Sequence, residues 1–148
     1  MSIEQMYQDT ILDYYAHPVG KGLSDSFDVE VHHINTSCGD EITLRATMAD
    51  GAIESVTWDG VGCSISMASM SIVAEMATGK PAQHFTAALT EFTTLMDGQG
   101  AMNADEQLLG EAVAFVGVAK FPARVKCALL GWKALEDAVN QMNGGSHE

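Results

Sequence analysis

The chain has 148 residues, a length that fits one compact domain better than two. Apolar residues make up 47% of it and charged residues only 18%, which provides a core and argues against global disorder. The formal net charge of −13 would repel a phosphate backbone, which argues against a nucleic-acid partner. The sequence shows neither a membrane-spanning apolar run nor the basic and apolar segments of a secretory signal, so we expect a cytoplasmic protein without a membrane partner.

The first part of the chain predicts one helix followed by three short strands. Apolar residues recur at helical spacing from Ile3 to Tyr15, and His17-Pro18 should end this helix because the residue before proline avoids the α region. The three β-prone runs are Phe27–Asn35, Glu41–Met48 and Ala52–Trp58. Asp50-Gly51 is a hairpin signal between the second and third runs, so an antiparallel meander is expected.

The second part of the chain predicts helices. Ser64–Thr78 should form a buried helix ending at Gly79, and another is expected from His84 to Met96. Asp97–Asn103 is expected to be a loop. Helix should then resume over Asp105–Ala119, pause at Phe121-Pro122, and continue as a final amphipathic helix to about Met142.

The predicted fold class is therefore α+β, with a three-stranded antiparallel sheet packed against about five or six helices. We expect a single domain over residues 1–148, in which residues 143–148 form a disordered tail.

The three cysteines are too far apart in sequence to read as a compact motif, and an odd number in a reducing cytoplasm argues against a disulfide framework. Each lies at an element boundary. Cys38 and Asp40 fall between the first two strands, Cys63 lies between the third strand and a helix, and Cys127 lies about a turn into the last helix. Loops and helix starts are places where such side chains can converge.

Three thiolates and one carboxylate form a four-coordinate donor set that suits zinc. Gly39 would let the backbone bend between Cys38 and Asp40 so that both reach one ion. A filled site would keep a surplus of negative charge, which makes its sulfurs nucleophilic. Arg124 lies three residues before Cys127 and should share its helix face, while the helix N-terminus favours a thiolate there.

Simple packing is the alternative for each cysteine, because a free cysteine is often a buried, space-filling residue. For Cys63 or Cys127 alone the two interpretations are balanced. The placement of all three at element boundaries, one of them beside Asp40, favours a site.

Four stretches of the chain together resemble the IscU-like (NifU N-terminal) family of iron–sulfur cluster assembly proteins, and specifically its SufU-type branch. They are Tyr7–Tyr15, Cys38-Gly39-Asp40, Gly62–Ser69 and Phe121–Cys127. Two features choose the branch. Lys126 replaces the histidine that precedes the third cysteine in IscU-type scaffolds, and the segment between Cys63 and Cys127 is about a helix longer.

This resemblance implies an IscU/SufE-like fold and a zinc ion held by Cys38, Asp40, Cys63 and Cys127. It also implies that a SufS-type cysteine desulfurase passes persulfide sulfur to Cys38, with Arg124 supporting the transfer. A downstream SUF assembly scaffold would then receive the sulfur.

Two other functions remain open at this point. The same cysteines could hold a transient [2Fe–2S] cluster on a scaffold protein, although Lys126 removes an obvious fourth ligand. Alternatively, the protein could be an adaptor that zinc merely stabilises. Asp40 argues against the adaptor, because closed structural zinc sites mostly use cysteine and histidine.

Overall fold

A computed structural model describes residues 3–98 and 106–142 of the chain. Its elements in chain order are α1 Ile3–Ala16, β1 Val29–Asn35, β2 Asp40–Ala49, β3 Ala52–Val61, α2 Ser64–Ala77, β4 Lys80–Pro81, α3 Ala82–Asp97, α4 Glu106–Leu109, a 3-10 segment Gly110–Lys120, and α5 Pro122–Met142. The α+β class and the number of helices agree with the prediction. The predicted tail at 143–148 and most of the predicted loop at 97–103 lie outside the described residues.

The sheet is antiparallel with the strand order β1-β2-β3-β4. Asp50 and Gly51 both have positive φ, at 55° and 80°, as a two-residue turn between twisted strands requires. The predicted hairpin is therefore confirmed. Asn35 pairs with Asp40 at the opposite end of β2, where the chain passes from β1 to β2.

The prediction of a three-stranded sheet was wrong, because Lys80–Pro81 forms a fourth strand on the outer edge of β3. The backbone N–H of Gly79 donates to Ile53 O at 2.7 Å, and that of Ala82 donates to Gly51 O at 3.0 Å. Two residues are too few to show the alternating pattern by which a strand is recognised in sequence. Gly79 was expected only to end the preceding helix.

The helix expected over Asp105–Ala119 is divided in two. It is α-helical only at Glu106–Leu109 and continues as the 3-10 segment, while Asp105 lies outside the described residues. Gly110 has φ of +54°, which interrupts the regular α-helical hydrogen bonding at the change. The 3-10 segment ends at Lys120, one residue before Phe121, where the pause was predicted.

Helix α2 crosses the middle of the fold, against α1, α5 and β3, and most of its residues are buried. A Cβ atom on Gly131 would lie 3.0 Å from Met70 Cα, so the glycine allows α5 to approach α2 closely. Ser69 Oγ donates to Ala128 O at 2.6 Å and accepts from Trp132 Nε1 at 3.0 Å. These contacts fix the helix of Cys127 against the helix that begins after Cys63.

No helix in the described ranges, 3–98 and 106–142, is both long enough and apolar enough to cross a membrane.

Candidate metal centre

Cys38 lies in the short connection between β1 and β2. Asn35 O accepts from the backbone N–H groups of Cys38 at 3.3 Å and Gly39 at 2.9 Å, and its side-chain Oδ1 accepts from Ser37 N at 3.2 Å. Gly39 has φ of +74°, a left-handed conformation that glycine adopts without steric cost. The turn therefore places Cys38 at the tip of the hairpin, where it is partly exposed.

Asp40 is the first residue of β2, and its side chain is completely buried. Its Oδ1 accepts a hydrogen bond from the backbone N–H of Cys63 at 2.9 Å. A Cβ atom on Gly62 would come within 2.5 Å of that oxygen and 2.7 Å of Ser66 Oγ. Any larger residue at position 62 would therefore displace the Asp40 carboxylate.

Cys63 is the N-cap residue of α2. Its Sγ lies 4.0 Å from Asp40 Oδ2 and 3.6 Å from Ser66 Oγ, whose hydroxyl donates to Cys63 O at 3.0 Å. The thiol is partly buried.

Cys127 is completely buried in the second turn of α5. Its Sγ lies 2.9 Å from Cys38 Sγ and 3.8 Å from Asn35 Nδ2, and both thiols lie 3.9 Å from the carbonyl oxygen of Ala123. Burial raises the pKa of the Cys127 thiol, and the side chains of Cys38 and Asp40 raise it further. In the absence of a cation this thiol therefore keeps its proton, which a bound metal would displace.

The ligand atoms of Cys38, Asp40 and Cys127 all lie within 4.8 Å of one another, so these residues could hold a metal ion. Cys63 is not part of that closest group, but its Sγ is 4.0 Å from the Asp40 carboxylate. Zinc bonds of about 2.0–2.3 Å in a tetrahedral site would separate the donors by roughly 3.5–3.8 Å. The donor set fits a thiolate-rich zinc site after small side-chain movements that separate Cys38 from Cys127 and bring Cys63 inward.

Arg124 lies in the first turn of α5 and is exposed, whereas Cys127 one turn later is buried. Within the described ranges its guanidinium forms neither an ion pair nor a hydrogen bond. It lines a cavity of about 620 Å³ between α1, the start of α2, the 3-10 segment and the start of α5. Arg124 directly follows Ala123, whose carbonyl oxygen lies 3.9 Å from both the Cys38 and the Cys127 sulfur.

Sequence reasoning missed the residues that position the donors. Asn35 organises the hairpin and contacts Cys127, and Gly62 and Ser66 form the surroundings of Asp40 and Cys63. A signal did exist for two of them. Asn35 precedes the Cys38 turn, where asparagine often bonds to the following backbone, and Gly62 directly precedes a candidate ligand.

The family model of the NifU-like N-terminal domain matches residues 6–128, which include all four candidate ligands. The chain belongs to the NifU-like N-terminal domain family. The family expected from the sequence is thus confirmed.

Two curated relatives match nearly the whole length of this family member. The zinc-dependent sulfurtransferase SufU of Bacillus subtilis is 39% identical over 98% of this chain and 97% of its own length. The iron–sulfur cluster assembly scaffold protein IscU of Thermotoga maritima is 34% identical over 97% of this chain and 99% of its own length. The chain is therefore an iron–sulfur cluster assembly protein of the SufU and IscU kind.

A solved structure supports the same placement. It is described as a putative iron–sulfur cluster assembly scaffold protein for the SUF system from Fervidobacterium islandicum AW-1. It is 34% identical and has a TM-score of 0.79, covering 90% of this chain and 96% of its own.

Proposed function

We propose that the protein is a cytoplasmic, single-domain, zinc-dependent sulfurtransferase that accepts persulfide sulfur from a SufS-type cysteine desulfurase. A downstream SUF assembly scaffold would receive that sulfur. One observation carries the proposal: a partly exposed thiol, Cys38, lies against the buried donors Asp40 and Cys127. Such a centre can keep a metal inside the fold while one sulfur remains within reach of a partner.

Cys38, Asp40, Cys63 and Cys127 would hold the zinc. The ion would keep these thiols deprotonated without exchanging electrons, since zinc has no redox chemistry. This matters most for Cys127, because burial raises the pKa of its thiol.

Cys38 is the proposed acceptor because it alone is carried by a hairpin tip. Asp40 and Cys127 are completely buried, and Cys63 is anchored at the start of α2. Cys38 can therefore leave the metal without disturbing a strand or helix. Its thiolate attacks the terminal sulfur of the desulfurase persulfide. A new sulfur–sulfur bond forms at Cys38 as the donor bond breaks, and the desulfurase cysteine leaves as a thiolate.

Arg124 is the proposed supporting residue. Its exposed side chain lines the cavity beside the start of α2, and it directly follows Ala123, whose carbonyl oxygen lies 3.9 Å from the Cys38 and Cys127 sulfurs. A guanidinium at this place would attract the anionic persulfide and the departing thiolate. Its support comes from charge and position, because no contact with Cys38 is present among the described residues.

Metal analysis and a transfer assay test the proposal together. Protein purified without oxygen should contain about one zinc per chain and neither iron nor acid-labile sulfide. Incubation with a SufS-type desulfurase and cysteine should add one sulfur atom to wild-type protein and none to Cys38→Ser. Ser37→Ala, which changes the neighbouring exposed residue, is the matched control and should accept sulfur normally. Unchanged transfer in Cys38→Ser would overturn the assignment.

The second candidate function is a scaffold for a transient [2Fe–2S] cluster. It is favoured by the relatives of this chain that are named scaffold proteins. Iron with matching acid-labile sulfide in the purified protein would select it. Zinc without any sulfur acceptance would instead select the zinc-stabilised adaptor.

A further inference from the structure

We propose that Cys127 is a resolving thiol, which discharges a persulfide on Cys38 as hydrosulfide when the two cysteines are not bound to metal. The proposal rests on the proposed function, in which Cys38 carries the sulfur. It gives the buried cysteine a second role besides metal binding.

The contact between the two thiols determines which sulfur would be attacked. Cys127 Sγ lies 2.9 Å from Cys38 Sγ, the atom that becomes the inner sulfur of a persulfide. A disulfide bond is about 2.05 Å long, so bond formation requires an approach of less than about 1 Å. Attack on this inner sulfur expels the outer one, whereas attack on the outer sulfur would only move the persulfide to Cys127.

The surroundings select Cys127 rather than Cys63. The Cys127 thiol belongs to the closest group of candidate ligands, with Cys38 and Asp40. The sulfurs of Cys38 and Cys127 also share a neighbour, since each lies 3.9 Å from Ala123 O. The Cys63 thiol instead contacts Asp40 and Ser66. The hairpin tip that carries Cys38 can supply the remaining movement.

The reaction needs no external oxidant. The Cys127 thiol gives up its proton as its sulfur attacks Cys38 Sγ, and the new Sγ–Sγ bond forms as the bond from Cys38 Sγ to the outer sulfur breaks. The outer sulfur takes both electrons of that bond and leaves as hydrosulfide, with one proton. The two cysteine sulfurs are thereby oxidised to a disulfide and the outer sulfur is reduced. The proton lost by Cys127 has a nearby acceptor in the Asp40 carboxylate.

Metal binding would determine whether the sulfur on Cys38 remains as a persulfide or is released as hydrosulfide. If Cys127 were a zinc ligand, its sulfur would be held by the metal and would share one electron pair with it, so it would attack Cys38 more slowly than in the metal-free protein. A persulfide on Cys38 would then survive until a protein acceptor removes it. Loss of the metal would convert the same persulfide into free hydrosulfide and leave a Cys38–Cys127 disulfide.

The test uses the full-length chain with and without zinc. Metal-depleted and zinc-loaded protein are each treated with glutathione persulfide, freed of small thiols, and followed by intact mass and by released hydrosulfide. Metal-depleted wild type should lose the added sulfur, release one hydrosulfide per chain, and become two hydrogens lighter than its dithiol form. Peptide mapping should identify the Cys38–Cys127 link. The zinc-loaded protein should keep the added sulfur at least about tenfold longer.

Two variants isolate the resolving residue. Metal-depleted Cys127→Ser should keep its persulfide at least about tenfold longer than wild type, whereas the exposed control Ser37→Ala should decay as wild type does. A Cys38–Cys63 link, a persulfide that moves intact to Cys127, or equal decay in Cys127→Ser would each overturn the proposal. Peptide mapping of the wild type identifies the cysteine that is linked to Cys38 without the need for a variant. Chemical loading also separates this test from the proposed function, because failure of the desulfurase to load Cys38 would overturn only the latter.

Discussion

The carboxylate of Asp40 accepts a hydrogen bond from the backbone N–H of Cys63 at 2.9 Å, so the start of β2 is tied directly to the start of α2. The backbone of one candidate ligand, Cys63, therefore holds the carboxylate of another, Asp40, in place. Among the described residues no cationic side chain pairs with Asp40, although the carboxylate is completely buried. Its charge is therefore poorly compensated unless a metal ion is bound.

Asp40→Asn should consequently change the stability of the protein in opposite directions with and without metal. The amide keeps an oxygen for the Cys63 N–H but removes the buried charge. In the presence of a chelator we expect the free energy of unfolding to rise by about 1–3 kcal/mol. With zinc, the variant should gain less stability than wild type, since a neutral amide is a weaker ligand.

Urea unfolding under both conditions measures these two effects. Asp59→Asn is the matched control, because Asp59 also accepts a backbone N–H bond, from Gly60 at 2.8 Å, but is exposed. It should change neither value appreciably. A destabilised Asp40→Asn in the chelated protein would contradict the charge argument.

Gly62→Ala should weaken metal binding without a large change in the fold. The added Cβ would lie 2.5 Å from Asp40 Oδ1 and 2.7 Å from Ser66 Oγ, so the carboxylate must move. Displacing a ligand in this way should lower zinc affinity by roughly 10- to 100-fold, as measured by competition with a chromogenic chelator. Gly117→Ala is the control, because its Cβ would meet no atom within 4 Å. Equal affinities in the two variants would refute the steric argument.

The sequence predicted best those features that depend on neighbouring residues. Asp50-Gly51 specifies its turn through two residues that tolerate positive φ, and Gly39 does the same beside Cys38. The strand limits were less accurate. The first strand begins at Val29 rather than Phe27, whose ring lies outside the strand and contacts the Arg45 guanidinium at 4.4 Å.

Features that depend on distant parts of the chain could not be predicted. Lys80–Pro81 is a strand only because β3 lies beside it. Helical spacing predicts that Arg124 and Cys127 share a face of α5, because they lie three residues apart. It does not show that the first turn projects into solvent while the second is buried against the sheet. The 2.9 Å contact between Cys38 and Cys127 likewise depends on tertiary packing alone.

Ser69→Ala should destabilise the contact between α2 and α5. Its hydroxyl donates to Ala128 O and accepts from Trp132 Nε1, and all three groups are buried. Leaving such partners unsatisfied should reduce the free energy of unfolding by about 1–3 kcal/mol in a denaturant titration. Ser26→Ala removes an exposed hydroxyl and should cost less than about 0.5 kcal/mol. A similar small loss in both variants would show that the buried network contributes little.

Arg124→Gln should slow sulfur acceptance from the desulfurase while leaving zinc content unchanged. Arg124 is exposed, directly follows Ala123 and is not a candidate ligand, so we expect about a fivefold loss, reduced at high salt. Lys126→Gln removes the same charge two residues later and is the matched control. Equal losses in both variants would indicate a general charge effect rather than a role specific to Arg124.

Acid should weaken the link between β1 and α5 through Asp137. Its Oδ2 lies 3.0 Å from His33 Nε2, and the hydrogen bonds with His33 and then Gln141 lower the pKa of this carboxyl below its usual 3.8. A carboxyl with a lower pKa in the folded state stabilises the fold above its unfolded pKa and loses that contribution as pH falls through the folded value. Because Asp137 is about two-fifths exposed, we expect less than about 1 kcal/mol. Urea unfolding from about pH 5 to pH 2.5 should therefore show a shallower acid dependence in Asp137→Asn than in wild type or in the control Glu136→Gln, and parallel curves for all three would contradict the assignment.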